Sequence, residues 1–231
     1  MSAPHPVPYH RQTVDSPNPL ARFAHRARTG TALTVAAADA PRDGRVLDYG
    51  CGPGTFLRSL GDRRPDLELL GYDPYFPEGP AAGVTLLDDM AVVDDRSIGL
   101  LTAFEACEHM TDDELDDFLD QAERTLSADG LLLVSVPVIG GPVLLAKELN
   151  RALLHRRRSD YTLPELAAAA FLGRPAPRTD DVRTSHKGFD FRALRARIQR
   201  RFALREQWCS PFPIAPWPVN SQHFSCWRPR A

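Results

Sequence analysis

Short apolar runs alternate with polar, helix-patterned stretches through residues 41–137. Val46-Leu47-Asp48-Tyr49 reads as a strand that stops at a glycine cluster. Leu69-Leu70-Gly71-Tyr72-Asp73 reads as a second strand closed by Pro74, Val84 to Leu87 as a third and Ile98 to Phe104 as a fourth. Thr111-Asp112-Asp113-Glu114 has the form of a capping box: the hydroxyl accepts from the backbone three residues on, and the Glu reaches back. Behind it Leu115, Phe118, Leu119, Ala122 and Leu126 repeat at helical spacing, and Gly130 is the expected stop. Leu131 to Val136 is a nearly unbroken apolar run ending at Pro137, the pattern of a strand covered on both faces. Strands alternating with helices predict an α/β fold with a doubly wound, mostly parallel sheet and right-handed crossovers. Outside this region, residues 1–40 read as a proline-rich arm and a helix from Leu20 to Ala38. Residues 138–190 read as helical and basic, and 191–231 as a helix followed by aromatic strands.

Composition narrows the class. A chain of 231 residues, 43% hydrophobic and 25% charged, can bury one sizeable core and is neither collagen-like nor a disordered polymer. The longest apolar stretch, Leu131 to Ala146, is broken by Pro137, Gly140, Gly141 and Pro142, which argues against a membrane span. Residues 1–20 carry five prolines and no apolar run, so a secretory leader is not expected. Cys51, Cys107, Cys209 and Cys226 form no CxxC pair, which fits reduced thiols and a cytoplasmic setting; with the scattered histidines they show no metal-ligand spacing. The net charge of −2 hides an asymmetry. Residues 88–129 hold fourteen acids against Arg96 and Arg124, whereas residues 142–205 hold fifteen bases against six acids. Such blocks bias which ligands approach each region. Without a basic total or a recognition motif, a nucleic-acid partner is not expected.

Candidate chemistry gathers where the predicted strands end. Asp48-Tyr49-Gly50-Cys51-Gly52-Pro53-Gly54-Thr55 places three glycines at every second position between a strand and a helix. Such a loop turns tightly and lets a ligand lie against its backbone. Asp73 ends the next strand nineteen residues after Gly54, the distance at which an acid takes both hydroxyls of a ribose. Asp88, Asp89 and Met90 follow the third strand and offer carboxylates and an apolar surface to a base. The spacing differs from the GxGxxG of dinucleotide sites, and the loop carries no Lys or Arg. A ligand with a ribose and a cationic centre suits it better than one with phosphates.

These residues resemble the class I S-adenosylmethionine-dependent methyltransferases. VLDYGCGPGTFL looks like that family's first motif, GYDP its second and LLDDM its third; FEACEHM and LSADGLLLVSVP are similar to its fourth- and fifth-strand motifs. The resemblance implies S-adenosylmethionine as cofactor and a seven-stranded sheet whose last strand runs antiparallel, with Phe202–Cys209 and His223–Trp227 as strands six and seven. By the same likeness Gly50, Gly52 and Gly54 line the methionyl part and Asp73 holds the ribose, with Asp48, Cys51 and Pro74 also among the cofactor-binding residues. Asp88, Asp89 and Met90 meet the adenine, and Glu105 sits near the amino acid end. Many relatives have an Asp where this chain has Gly99.

Methyl transfer needs two aligned reactants and, for a hydroxyl acceptor, a route for its proton. Two histidines compete as base, His186 and His109, with His223 a weaker third and transfer without a side-chain base the alternative. Cys51 reads as a small buried residue rather than a nucleophile. Residues 1–40, with Tyr9, Phe23, His25 and Arg26, are expected to form an arm and lid over a domain spanning 41–231. Within that domain a helical insertion at about 138–189 is expected to cover the acceptor. There Val143, Leu144, Leu145, Leu149, Ala152 and Leu153 predict an amphipathic helix running into Arg156-Arg157-Arg158. That suits a phosphate-bearing or lipid-linked acceptor, or peripheral contact with an anionic membrane. Trp208, Pro211, Phe212, Pro213, Trp217 and Pro218 either wall the acceptor pocket or wrap the sheet edge. The expected activity is methylation of a small molecule, at a hydroxyl, in specialised-metabolite or glycoconjugate biosynthesis. The rival readings are a noncatalytic methyltransferase-like partner subunit and a nicotinamide-dependent oxidoreductase.

Overall fold

A computed structural model describes residues 19–75, 83–155 and 159–230. Seven strands form one sheet: β1 (Arg45–Tyr49), β2 (Glu68–Tyr72), β3 (Thr85–Leu87), β4 (Ile98–Phe104), β5 (Leu126–Pro137), β6 (Phe202–Ser210) and β7 (Gln222–Pro229). Their spatial order is β3-β2-β1-β4-β5-β7-β6. β3, β2, β1, β4 and β5 pair in parallel, and β7 runs antiparallel to both β5 and β6. This is the sheet that the resemblance implied, with its last strand inserted between β5 and β6.

Alternation along the strands sorts the core into two layers. Val46, Leu69, Leu100 and Leu133 face α1 (Pro19–Asp39) and α2 (Thr55–Arg63), whose Leu33, Ala36, Leu57 and Leu60 cover that side. Leu47, Leu70, Leu101 and Leu132 face the other way, onto Leu115, Phe118 and Leu119 of α3 (Asp112–Thr125) and Leu194 and Ile198 of α6 (Phe191–Ile198). Two further helices, α4 (Pro142–His155) and α5 (Leu163–Phe171), lie in the chain between β5 and α6. Among the described residues no helix is long and apolar enough to cross a membrane.

The capping box at Thr111 and Glu114 forms, and Asp190 caps α6 through the Arg192 N–H. Gly130 does not stop a helix. α3 ends at Thr125, and the chain passes directly into β5 through an irregularity: Ile98 pairs with Leu126, yet Leu100 pairs with Leu131. Gly130 sits in that bulge, where a Cβ would come within 2.9 Å of the Ile98 carbonyl oxygen. Gly99 also has a steric reason, since a side chain there would run into the Pro41 ring. Residues 172–190 are irregular rather than helical, because glycines and prolines at 173, 175 and 177 forbid a continuing helix.

The opposite charge blocks largely meet each other. Arg197 of α6 pairs with Asp112 and Asp116 of α3, and Arg201 pairs with Asp120 and Glu123. Much of the asymmetry legible in sequence is therefore a helix–helix seam and not a field aimed at a ligand.

Candidate active site

The parallel strands end along one edge, and the glycine loop turns there. Gly50, Gly52 and Gly54 all have positive φ (80°, 51° and 70°). The Gly50 and Cys51 N–H groups both donate to the Tyr72 carbonyl, at 2.7 and 3.2 Å, stitching the loop to the end of β2. Gly50 packs so closely on Ala106 that a Cβ would lie 2.6 Å from the Ala106 Cβ. At Gly52 a Cβ would meet nothing within 4 Å. One glycine thus closes the loop on its neighbour, and the other leaves its face open.

Asp73 accepts from the Gly52 N–H (2.9 Å) and the Tyr75 N–H (2.9 Å), one on each carboxylate oxygen. An ionised carboxylate offers about four lone-pair sites, so each oxygen keeps capacity for a hydroxyl. Pro74 is exposed beside it. Asp88 and Asp89 are exposed, and Asp89 caps a short turn by accepting from the Ala91 N–H at 2.9 Å. Met90 is a core residue, packed in the layer with Leu47 and Leu70. The open glycine face, the acids around it and the absence of a basic side chain in the loop fit a nucleoside bearing a positive centre.

Two loop residues are more structural than their motif suggests. Asp48 is buried and accepts from the Thr102 hydroxyl at 2.6 Å, and burial raises its pKa to about 7. Cys51 is buried with its sulfur against Gly71, and burial pushes its thiol up to about 12, which rules out a thiolate nucleophile at neutral pH.

Beyond β4 the backbone enters a left-handed conformation at Glu105 (φ 55°). This non-glycine strain is held by partners from three elements. The Glu105 carboxylate accepts from Arg28 of α1 at 2.5 Å and from Gln222 of β7, and its N–H donates to the Ser135 carbonyl of β5 at 3.0 Å. The sequence motif pointed to Glu105, but nothing local marked Arg28 or Gln222 as its partners. Phe23, His25 and Arg26 precede Arg28 on α1, and His25 accepts from Arg28 at 2.8 Å; Tyr9 lies outside the described residues.

The two candidate histidines come together. His109 follows Glu108 in a 3-10 turn (Cys107–His109), and its Nε2 lies 3.1 Å from Nε2 of His186. His109 Nδ1 lies 3.1 Å from the Val182 carbonyl oxygen, which can only accept, so Nδ1 carries a proton. In the neutral pair His186 then donates through Nε2, leaving its Nδ1 lone pair available. Burial, followed by the neighbouring His109, holds the His186 pKa down near 3. Burial thus favours the neutral form of His186. His223 is a packing residue: it stacks on Phe191 at 4.6 Å and contacts Gln207.

The segment 178–186 docks on this turn. Arg178 donates to the Glu108 carbonyl and Arg183 to the His109 carbonyl (2.9 Å). Arg183 also bonds Glu114 and lies 4.0 Å above the Tyr75 ring. A cleft of about 630 Å³ opens beside it, lined by Arg151, Arg178, Thr184, Ser185 and Lys187 together with acids such as Asp160 and Asp181. Arg151 is paired with Asp160 and Lys187 with Glu165. Buried Nη1 of Arg178 has no hydrogen-bond partner. Arg156, Arg157 and Arg158 lie outside the described residues. On the far side, Trp208 stacks on Phe224 at 5.4 Å and wraps the sheet, and Trp217 packs edge-on against Phe191.

In sequence Glu108 is one residue of the FEACEHM motif, next to His109. In the structure it is fully buried and neither carboxylate oxygen has a hydrogen-bond partner. An unsatisfied buried polar group costs about 1–3 kcal/mol. Burial and the neighbouring Glu105 raise its pKa well above the usual carboxylate range.

The seven-stranded sheet, the open glycine loop and the acid after the second strand make up the architecture of a class I methyltransferase domain. A family model for a methyltransferase domain matches residues 21–169, and the chain belongs to that family. A trans-aconitate 2-methyltransferase from Streptomyces coelicolor is 38% identical over 100 residues, which is 39% of this chain and 33% of that protein. The chain spans about a third of the length of the curated relatives it matches. The PH0226 protein from Pyrococcus horikoshii superimposes with a TM-score of 0.60 at 15% identity, over 96% of each chain. A TehB-like SAM-dependent methyltransferase from Corynebacterium glutamicum gives 0.53 at 15% identity, over 89% of this chain and 87% of that one. At such identities the two structures establish the fold alone.

Proposed function

We propose that this methyltransferase moves a methyl group from S-adenosylmethionine to an oxygen of a small, anionic acceptor. The observation that carries the reading is the adjacency of two unlike places on one sheet edge. One is the open glycine face with Asp73; the other is the turn after β4, where His109 meets His186 and Arg178 borders a cleft, and the turn's Ala106 packs against Gly50 of the loop. When bound, S-adenosylmethionine supplies a methyl group on a sulfonium, which departs as a neutral thioether.

The chain's own residues bind and orient. Gly50, Cys51, Gly52 and Gly54 supply backbone surface, and Asp48 braces the loop from below. Asp73 with Pro74 takes the ribose, Asp88 and Asp89 the base with Met90 beneath them, and Glu105 the amino acid end. The described start of α1, whose Arg28 reaches Glu105, acts as a lid on the domain, residues 1–18 lying outside the described residues, and the described parts of the segment 138–189 cover the acceptor. Arg178 offers its unpartnered N–H to an acceptor anion. A hydroxyl acceptor must lose a proton as its bond to carbon forms; the His109–His186 pair is the candidate base, and the burial that holds the His186 pKa near 3 weakens that member of it. An acceptor carboxylate needs no base. The name of the Streptomyces relatives, trans-aconitate 2-methyltransferase, favours that second form of acceptor.

Calorimetric titration with S-adenosylmethionine, repeated on Asp73→Ala, tests the cofactor half. The reading expects micromolar binding that weakens at least tenfold in the variant. Methyl transfer from labelled cofactor to a panel of di- and tricarboxylates and hydroxy acids tests the acceptor half. Folded protein that binds no sulfur nucleoside refutes the reading; binding without turnover on any acceptor supports the noncatalytic partner instead.

A further inference from the structure

We propose that Glu108, His109 and His186 form a binding site for one divalent transition-metal ion. A carboxylate oxygen of Glu108 and one nitrogen of each histidine lie within 4.8 Å of one another. The two imidazole Nε2 atoms are 3.1 Å apart. Two nitrogens each about 2.1 Å from a common ion, at roughly 95° to each other, are separated by about that distance. Two histidines and a carboxylate with open positions remaining is a donor set that suits zinc, cobalt, manganese or ferrous iron.

Glu108 is the second, independent observation. Its side chain is wholly buried and both oxygens lack a partner, although cationic groups lie nearby. Arg178 bonds the Glu108 backbone oxygen through Nη2 and lies 5.3 Å from the Phe189 ring centroid, and its buried Nη1, without a partner of its own, makes no hydrogen bond to the carboxylate. Lys147 donates to the Val138 carbonyl at 2.9 Å. Glu105 is occupied by Arg28 and Gln222. A cation between Glu108 and the histidines satisfies the orphaned carboxylate without disturbing any of these bonds. It replaces the contact between the two rings and shifts the His186 proton from Nε2 to Nδ1, so a metal-bound His186 no longer offers a base; the Val182 carbonyl keeps His109 Nδ1 protonated and Nε2 turned toward the ion. Both histidines are partly exposed, and Ser185, the chain neighbour of His186, lines the cleft that Arg178 also borders. An acceptor oxygen there can complete the shell while Arg178 takes the remaining charge.

The use of the ion rests on the acceptor reading above, but its binding does not, and the two are measured separately. Chelator-stripped protein is titrated with Zn²⁺ and with Co²⁺, without cofactor or acceptor, following heat and the Co²⁺ d–d absorption. One equivalent is expected to bind, with a Co²⁺ spectrum of nitrogen and oxygen ligation and a raised melting temperature for the wild type. Glu108→Gln and His186→Gln are each expected to weaken binding by about 10–100-fold or more. Asp73→Ala is expected to retain the ion while losing S-adenosylmethionine. Stoichiometric binding lost in both ligand variants supports the site. Absence of binding by folded wild type overturns it, as does binding unchanged in either ligand variant, which would put the ion on the surface acids of α3. If a ligand variant does not fold, the wild-type Co²⁺ spectrum decides alone: octahedral, all-oxygen absorption refutes the assignment.

Discussion

Asp48→Asn tests the electrostatics of the loop's foundation. Asp48 sits fully enclosed at the end of β1 with one hydrogen bond, from Thr102, and its pKa is raised from 3.8 to about 7 with burial as the leading cause. A carboxyl that ionises in the unfolded chain near pH 4 but in the folded protein only near pH 7 binds more protons when folded. Stability therefore falls as pH rises between those values, and is level again above the folded value. At 1.36 kcal/mol for each pH unit, the whole span is worth about 4 kcal/mol. Asparagine keeps the shape and can still accept from Thr102, but it never ionises. The variant should gain on the wild type as pH rises, by about 3 kcal/mol between pH 5 and pH 8. Urea unfolding of both proteins at each pH measures this, and all other titrating groups cancel in the difference. A difference that stays constant between pH 5 and pH 8 would mean that Asp48 is already ionised in the native state, and the burial argument would fail.

The remaining expectations concern the loop and the core. Gly52→Ala adds a methyl where nothing lies within 4 Å. It should cost only about 1–2 kcal/mol for its left-handed backbone, yet reduce S-adenosylmethionine binding at least tenfold by calorimetry; unchanged affinity would place the cofactor elsewhere. Gly50→Ala, whose Cβ would lie 2.6 Å from that of Ala106, should lower the melting temperature more than Gly52→Ala, which scanning calorimetry compares directly. Thr111→Ala removes the cap of α3 and should cost about 1 kcal/mol in urea unfolding. Phe118→Ala empties a fully buried position packed edge-on against Tyr49 and should cost about 3–5 kcal/mol; a loss under 1 kcal/mol would contradict the two-layer core.

Patterns carried by neighbours in sequence were legible. The glycine spacing after a strand, Asp73 at the end of the next, the capping box at Thr111 and the apolar runs of β4 and β5 are each written within a dozen residues. Each follows from backbone sterics or from the alternation of a covered strand. What local pattern could not carry is partnership across the fold. Arg28 and Gln222 reach Glu105 across 77 and 117 residues, and His186 reaches His109 across 77. Arg197 and Arg201 neutralise acids about 80 residues away. The buried, unpartnered state of Glu108 is likewise a property of the folded chain, in which Arg178, 70 residues on, bonds its backbone carbonyl. Parallel strands bring their carboxyl ends to one edge, so residues far apart in the chain become neighbours there. Local pattern suffices for the α/β class, the cofactor-type loop and the elements around it. Which charges cancel, which histidines meet and which carboxylate is left without a partner depend on the folded arrangement, because burial and distance are properties of the assembled edge.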